Sequence, residues 1–318
     1  MENFPKINEV KEALKRIKEK GFPAFDSTKS VDSYVEQIKD IFTEEFGYYF
    51  APLQVFKHRQ FNLNIFRARE YESFSNINLV REHSYPPQNL VGFGRCNFPK
   101  FPVFYSSNDG MTALIEAVKA NGNTKQCISK WSITSPESEL VFQSFLQVAL
   151  PDENHYKMLS DVVKDKIGEP FFNEYGRQLE KEREQGVLEY LKFMDGTFIN
   201  DNNYNLSAAF AHSALYAPHN FRTDILMYPS VQTMHKGVNL AISPNFVENY
   251  LKLDRLYIVS LENYNTNNGK VKVQFHKYAE VEKNVVIWKK IKPDDEKYNE
   301  LIRNDFSIPL KSEFEKIK

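Results

Sequence analysis

GFGRCNFPKFPVFYSSNDGMTALIE, residues 92–116, joins a glycine-flanked arginine to a short apolar run and then to a segment with helical spacing. Residues 102–106 are apolar and aromatic, which predicts a strand that enters a core. Asn108 and Asp109 follow as N-cap residues, and Gly122 supplies a helix stop. The stretch therefore predicts a strand that turns directly into a helix.

The predicted helix has one apolar face. Its apolar residues recur at spacings of three, four and seven positions: Met111, Leu114, Ile115 and Val118. That periodicity indicates the buried side of an amphipathic helix. Glu116 points nearly the opposite way, so we expect its carboxylate either to face water or to line a cleft.

A second arginine precedes this stretch, in the run FNLNIFRA that begins at Phe61. Apolar and polar residues alternate there, so Phe61, Leu63 and Ile65 share one face of a predicted strand. Arg67 would share that inward face, where a guanidinium needs a carboxylate or an anion as its partner. A paired structural arginine and an anion-binding arginine both remain open for Arg67.

The rest of the chain predicts a mixture of helices and strands. Helical spacing occurs at residues 10–17, 34–42, 158–167, 171–194 (interrupted at Gly186) and 206–216, with a short helix after Pro244. Strand-like runs occur at residues 126–133, 142–150, 224–228, 238–242, 255–261, 271–278 and 285–289, with a hairpin turn at 265–269. We therefore predict an α+β fold.

Composition limits the classes of function. Hydrophobic residues make up 42% of the 318 residues, which places the chain among globular proteins with a full core. No apolar run approaches the roughly 18 residues that a membrane span needs. The formal net charge of -1 gives no electrostatic reason to expect binding to nucleic acid. The first residues, MENFPKINEV, lack the pattern of a signal peptide, so we expect a cytoplasmic protein.

Metal and nucleotide motifs are not evident. Cys96 and Cys127 have no metal-ligand spacing, so we expect two reduced thiols and no metal site. The sequence has neither a Walker-type glycine loop nor G-x-G-x-x-G, which argues against a nucleoside triphosphatase or a dehydrogenase.

The motifs within and around residues 92–116 follow a recognisable order. Residues 94–97 read G-R-x-N, residues 105–107 read Tyr-x-Ser, and residues 113–116 read A-L-x-E. Upstream, residues 66–69 read F-R-A-R and contain Arg67. This order resembles the RES domain family, which takes its name from an arginine, a glutamate and a serine.

The downstream sequence extends the resemblance. Tyr228-Pro229-Ser230, followed by residues 239–244 reading N-L-x-x-x-P, is similar to the ending of the family pattern and places its serine at Ser230. Cys96 departs from the pattern, because the family usually has an aromatic residue after G-R. The resemblance implies that residues 59–262 form a RES domain. We interpret residues 1–58 as an N-terminal helical extension and residues 263–318 as a C-terminal β-rich extension.

The resemblance implies a fold and an activity. It predicts an ADP-ribosyltransferase-like mixed β-sheet core with flanking helices, and an enzyme that consumes NAD as its substrate. Characterised members are toxins that split the nicotinamide–ribose bond, with water or phosphate as acceptor, or that modify a protein. A separate antitoxin chain is the partner that this resemblance implies. The alternatives are an ADP-ribosyltransferase that modifies a protein target, and a non-catalytic interaction protein on a RES scaffold.

The chemistry of the residues agrees with that implication. Two arginines suit a bound pyrophosphate, because guanidinium forks match phosphate oxygens. A carboxylate beside a tyrosine suits cleavage of a glycosidic bond through an oxocarbenium-like transition state. The predicted catalytic residues are Glu116, Arg67, Tyr105 and Ser230, and the predicted NAD-binding residues are Arg67, Arg95, Tyr105, Ser230 and Asn239. Taken singly, Tyr105 is also consistent with a strand aromatic, Glu116 with a surface residue and Ser230 with a turn residue.

Overall fold

The elements follow the local patterns closely in the middle of the chain. The computed structural model describes residues 3–51, 54–57, 63–118, 125–135, 137, 139–154, 156–167, 180–218, 222–262, 272–291 and 295–306. Within these ranges the strands are β1 (Gln54–Lys57), β2 (Ile65–Glu70), β3 (Phe104–Ser107), β4 (Lys125–Ile133), β5 (Glu139–Ser144), β6 (Ile225–Pro229), β7 (Val238–Ile242), β8 (Leu251–Glu262), β9 (Lys272–Glu282) and β10 (Val285–Lys290). The α-helices are α1 (Ile7–Lys20), α2 (Val31–Phe46), α3 (Gly110–Ala117), α4 (Lys157–Ile167), α5 (Lys181–Asn200), α6 (Asn205–Leu215), α7 (Pro244–Tyr250) and α8 (Glu296–Phe306).

All ten described strands belong to one mixed sheet, in the order β1-β5-β6-β7-β3-β2-β4-β8-β9-β10. Neighbouring strands are antiparallel except β5 and β6, which are parallel. The chain therefore has the α+β fold that the pattern predicts.

In the middle of the sheet, the hydrogen-bonded ladder between β2 and β3 is short. β2 pairs with β4 from Ile65 to Glu70, but it pairs with β3 only at Phe66 and Ser107. Beyond that pair the two strands no longer share a described ladder. Both strands run through the centre of the sheet, and residues of both strands line a cavity there.

The N-terminal helices pack against the later helices through aromatic rings. α1 contacts α5, and α2 contacts α6. The rings of Phe50 and Tyr190 stack at 4.8 Å between centroids, and Phe4 lies edge-on to Tyr190 at 5.7 Å. Such ring pairs add stabilisation to the burial of their surface. The many Phe and Tyr residues therefore have a structural use on this side of the sheet.

The two terminal regions contribute to the same sheet and core. β1, within residues 1–58, pairs with β5, and β9 continues the sheet from β8. α8 packs on α3, where a Cβ added to Gly110 would lie 2.6 Å from a ring carbon of Phe306. Lys130 pairs with the fully buried Asp305 of α8 at 2.6 Å, and the Tyr257 hydroxyl donates to the same carboxylate at 2.6 Å.

Several details differ from the sequence-based expectations. α5 runs without a break through Gly186, where an added Cβ would lie 2.4 Å from the carbonyl oxygen of Pro5. This glycine therefore permits close packing of the N-terminal segment and does not interrupt the helix. The strand predicted to reach residue 150 ends at Ser144, and the helix α8 was not predicted.

α3 ends at Ala117, before Val118 and before the helix stop predicted at Gly122. Some predictions lie outside the described residues: Phe61, Gly122 itself, residues 171–179 and the turn at 265–269. Cys96 and Cys127 are both buried and free, as expected of reduced thiols. Among the helices that the structure describes, none is long and apolar enough to cross a bilayer.

Candidate active site

Glu116 lies in the last turn of α3, on the side away from the core. Asp109 caps the helix, since its carboxylate accepts a hydrogen bond from the backbone N–H of Thr112 at 2.9 Å. The helix buries Ala113 and Leu114 against the sheet and leaves Glu116 largely exposed. The helical spacing thus correctly placed this carboxylate off the apolar face.

Two side chains hold one oxygen of the Glu116 carboxylate. The Ser230 hydroxyl donates to Oε1 at 2.6 Å, and the Asn239 amide donates to the same atom at 2.7 Å. Within the described part of the chain, no hydrogen bond reaches Oε2. The carboxylate is therefore fixed in orientation with one oxygen available to a ligand.

The segment between β6 and β7 positions these two donors. Ser230 is fully buried, and its backbone N–H donates to the carbonyl of Gly237 at 3.0 Å. A Cβ added to Gly237 would lie 2.2 Å from Thr112 Oγ1, so only glycine lets this segment approach α3 so closely. The Ser107 hydroxyl donates to Asn239 Oδ1 at 2.9 Å, which orients the amide so that its nitrogen faces Glu116.

Arg67 lies at the gap between β2 and β3. Its Nη1 donates to the carbonyl of Tyr105 at 2.9 Å, and its guanidinium lies 5.3 Å from the Phe104 ring centroid. Its Nε is buried and has no partner among the described residues. Burial and, secondarily, the charge of Arg69 lower the pKa of Arg67 to about 10, so the group stays cationic at neutral pH. No described carboxylate compensates this charge, which leaves the anion-binding interpretation of Arg67 better supported than the paired structural one.

A cavity of about 230 Å³ brings these groups together. Its lining includes Arg67, Tyr105, Ser107, Glu116, Tyr228 and Asn239. Four of the predicted site residues therefore meet around one space, and Ser230 lies behind Glu116 as a hydrogen-bond donor. Because Glu116 and Arg67 both line the cavity, it combines an anionic and a cationic side.

The Tyr105 hydroxyl is already engaged. It donates to Asn97 Oδ1 at 2.7 Å and accepts from the backbone N–H of Cys96 at 2.8 Å. Burial raises the pKa of Tyr105 well above its ordinary value, so the phenol is neutral. Tyr105 can therefore offer a ring and a backbone to a ligand, but its hydroxyl serves to hold the segment around Cys96.

Arg95 does not line this cavity. Its Nη1 donates to the carbonyl of Phe198 in α5, and its guanidinium lies 5.0 Å from the Tyr204 ring centroid. Its neighbour Cys96 is fully buried, and burial raises the pKa of that thiol to about 12. Arg95 therefore lies outside the cavity lining, although its charge partly opposes the effect of burial on the pKa of Tyr105 and of Tyr228.

Ser107 and Tyr228 also line the cavity and were not predicted as site residues. Ser107 completes the Tyr-x-Ser motif, and Tyr228 directly precedes Pro229-Ser230, so both lay inside quoted motifs without a role. Tyr228 is buried, and burial raises its pKa well above the ordinary tyrosine value. Its neutral ring forms part of the cavity wall.

The larger surroundings contain a second cleft of about 1140 Å³, which also has Arg67 in its lining. In the described ranges no group of His, Cys, Asp and Glu side chains could hold a metal ion.

Comparison with protein-family models, with curated proteins and with solved structures found no match.

Proposed function

We propose that this protein is an NAD-consuming enzyme that cleaves the bond between nicotinamide and ribose. The observation that carries the proposal is the carboxylate of Glu116, held at Oε1 by Ser230 and Asn239 and facing the same cavity as Arg67. A fixed carboxylate opposite a cation suits a substrate that develops positive charge at one end and carries phosphate at the other. The motif order that resembles the RES family supports the same substrate.

The proposed reaction uses the carboxylate as an electrostatic group. The electrons of the glycosidic C–N bond leave with nicotinamide, and the ribose carbon becomes oxocarbenium-like. Oε2 of Glu116 accepts a hydrogen bond from a ribose hydroxyl and stabilises that positive charge, while Oε1 remains held by the protein. An acceptor oxygen then forms the new bond to the ribose carbon and releases its proton to solvent.

Arg67 is proposed to bind the pyrophosphate. Its buried Nε has no described partner, and its charge has no described counter-ion. A guanidinium binds two phosphate oxygens at once, and such contacts are stronger where water is excluded. Arg95 is directed to the Phe198 carbonyl, so we assign the pyrophosphate to Arg67 alone.

The acceptor defines the subclass of enzyme. Water makes the protein an NAD glycohydrolase, phosphate makes it a phosphorylase, and a protein side chain makes it an ADP-ribosyltransferase. The resemblance favours a toxin or defence effector that a separate antitoxin restrains. These roles share the carboxylate of Glu116 and differ only in what attacks the ribose carbon.

One incubation tests the proposal. The purified chain is mixed with NAD, with and without phosphate, and the products are measured by mass. We expect nicotinamide release, and the mass of the second product identifies the acceptor. Glu116→Gln keeps an oxygen that accepts from Ser230 and Asn239, so it should bind NAD and lose turnover by about two orders of magnitude.

The matched control is Glu44→Gln, which removes a charge from the exposed face of α2. It should release nicotinamide at the wild-type rate. Equal rates in Glu116→Gln and wild type would rule out Glu116 as the catalytic group. No nicotinamide release by wild type would favour the non-catalytic interaction protein.

A further inference from the structure

The 1140 Å³ cleft lies against the catalytic cavity, and Arg67 lines both. Its walls come from the 3-10 segments before Leu90, from β2 and β4, and from α7. The Tyr85 hydroxyl donates to the Glu248 carboxylate, which joins the loop wall to the helix wall. The cleft is therefore a built concavity, slightly larger than the roughly 300–1,000 Å³ that is usual for small-ligand sites.

Some charged side chains of this cleft have hydrogen-bond partners within it. Arg69 donates to Ser73 and to the carbonyl of Glu82, and the Glu82 carboxylate accepts from Ser75 at 2.8 Å. Glu248 is held by Tyr85. Both carboxylates thus have partners within the cleft.

Arg67 and Arg81 are the cleft cations without a carboxylate partner among the described residues. Arg67 donates through Nη1 to the Tyr105 carbonyl but has a buried, unpartnered Nε, and Arg81 is exposed, with no side-chain bond to any residue that the structure describes. Two cations without described counter-ions, beside two carboxylates that already have partners, favour an anionic ligand. The buried Nε also points to a ligand independently of the cleft's shape, since an unpaired buried donor costs free energy.

Apart from Ser84 and Asn284, the remaining lining is apolar. It includes Val80, Pro86, Pro87, Leu90, Trp131 and Val247. Leu90 is 71% exposed at the rim, an apolar surface that a planar ligand would cover. The cleft thus offers cations for phosphate and an apolar wall for an aromatic ring, which together match a nucleotide.

We infer that this cleft binds the adenosine diphosphate half of NAD, with the pyrophosphate at Arg67 and the adenine against the apolar wall. The inference rests on the proposed function, because it divides one dinucleotide between two adjoining cavities. The 230 Å³ cavity accommodates the nicotinamide ribosyl group and leaves the larger half outside it. Arg81 at the rim contacts the anionic part of that half.

The division of NAD between the cleft and the cavity is tested by measuring how two parts of NAD bind to the full chain. ADP-ribose probes the cleft, and nicotinamide mononucleotide probes the cavity, each by titration calorimetry. Ser84→Trp fills the cleft from its lining, and Arg81→Ala removes the exposed cation. Arg303→Ala, an exposed arginine of α8, is the matched control.

We expect Ser84→Trp to weaken ADP-ribose binding by about ten-fold or more, since a full side chain occupies the site. Arg81→Ala should weaken it about three- to five-fold, the size of one exposed charge contact. Nicotinamide mononucleotide should bind both variants as it binds wild type, and Arg303→Ala should match wild type with both ligands.

Several outcomes would overturn the inference: no ADP-ribose binding by wild type, wild-type ADP-ribose binding by both cleft variants, or equal loss of both half-ligands. Failure of the catalytic proposal has a different signature. In that case the two cleft variants still weaken ADP-ribose binding, but the wild-type protein does not cleave NAD. Conversely, NAD cleavage with an unchanged KM in Ser84→Trp and Arg81→Ala would retain the enzyme and reject the adenosine site.

Discussion

Arg67 is a cation whose described neighbours supply a carbonyl oxygen and an aromatic face, but no carboxylate. A buried charge without a counter-charge is costly, so a residue kept for structure alone would gain by being apolar. We therefore predict that Arg67→Met folds with a melting temperature at or above that of wild type. The same change should abolish NAD binding.

Arg67→Lys tests the charge of Arg67 separately from the bidentate geometry of its guanidinium. It keeps a cation but loses bidentate contact with phosphate, so we expect NAD affinity to fall about ten-fold in a binding titration. Arg95→Lys is the matched comparison, because the Arg95 guanidinium donates to a backbone carbonyl outside the cavity. It should lower the melting temperature with little change in NAD affinity. The reverse pattern would place the pyrophosphate at Arg95.

At the scale of elements, the contact between α3 and the Ser230 segment sets the position of the Glu116 carboxylate. An added Cβ at Gly237 would lie 2.2 Å from Thr112 Oγ1. We expect Gly237→Ala to force the segment away from α3 and to lower the free energy of unfolding by about 1–3 kcal/mol. Turnover should also fall, because Ser230 moves with the segment.

A double-mutant cycle checks this cause. Thr112→Ala removes the atom that the new methyl group meets, so the double variant should be more stable than the sum of the single effects predicts. Denaturant unfolding of the four proteins gives the coupling free energy. Strict additivity would mean that the Gly237→Ala defect arises elsewhere, and the close approach would not be the reason for glycine.

A second element-scale prediction concerns pH. Asp195 of α5 is buried, and burial raises its pKa well above the ordinary value, against the effect of the hydrogen bond from the Gln147 N–H. The unfolded chain loses this proton near pH 4, whereas the folded chain retains it to higher pH. The contribution of Asp195 to the free energy of unfolding is therefore greatest below about pH 4, and it is lost as the pH rises toward the pKa of Asp195 in the folded protein.

Asp195→Asn removes that decline, because the amide oxygen still accepts from Gln147 and carries no charge. We expect the stability of the variant relative to wild type to increase steadily from about pH 4 to pH 7 in urea unfolding. Other titrating groups cancel in the difference. Parallel pH profiles for the two proteins would contradict the assignment of a neutral Asp195.

Local chemistry explains which elements were predictable. Asp109 capping and the run at residues 238–242 lie within a few residues of the structures they specify, and both were correct. α8 was missed because its sequence, EKYNELIRNDF, is mostly polar and its buried residues contact α3 and β8. The orientation of Arg95 depends on a carbonyl 103 residues away in α5, which no local pattern can indicate. The meeting of Ser230, Asn239 and Glu116 likewise depends on sheet register.

On the scale of the whole molecule, the terminal segments surround the site. α8 packs on the start of α3, and its Asp305 joins Lys130 and Tyr257 beneath that contact. The N-terminal helices pack on α5, whose Phe198 carbonyl receives Arg95. The core around the central cavity therefore includes residues from both ends of the chain.

An enzyme that consumes NAD has consequences for the cell that expresses it. We predict that induced wild-type protein lowers the cellular NAD pool and slows growth, whereas Glu116→Gln does neither. The variant keeps an acceptor for Ser230 and Asn239, and Glu116 is exposed, so its stability should change by less than about 1 kcal/mol. Both proteins should therefore accumulate equally, and the difference in growth reports chemistry alone.

Glu44→Gln completes the comparison, since it also removes one exposed carboxylate but lies on α2. It should slow growth as wild type does. An interaction protein would behave differently, because its effect follows the folded surface and survives an isosteric change in a cavity. If Glu116→Gln and wild type slow growth equally, or if growth slows while NAD stays level, the NAD-cleaving function is wrong.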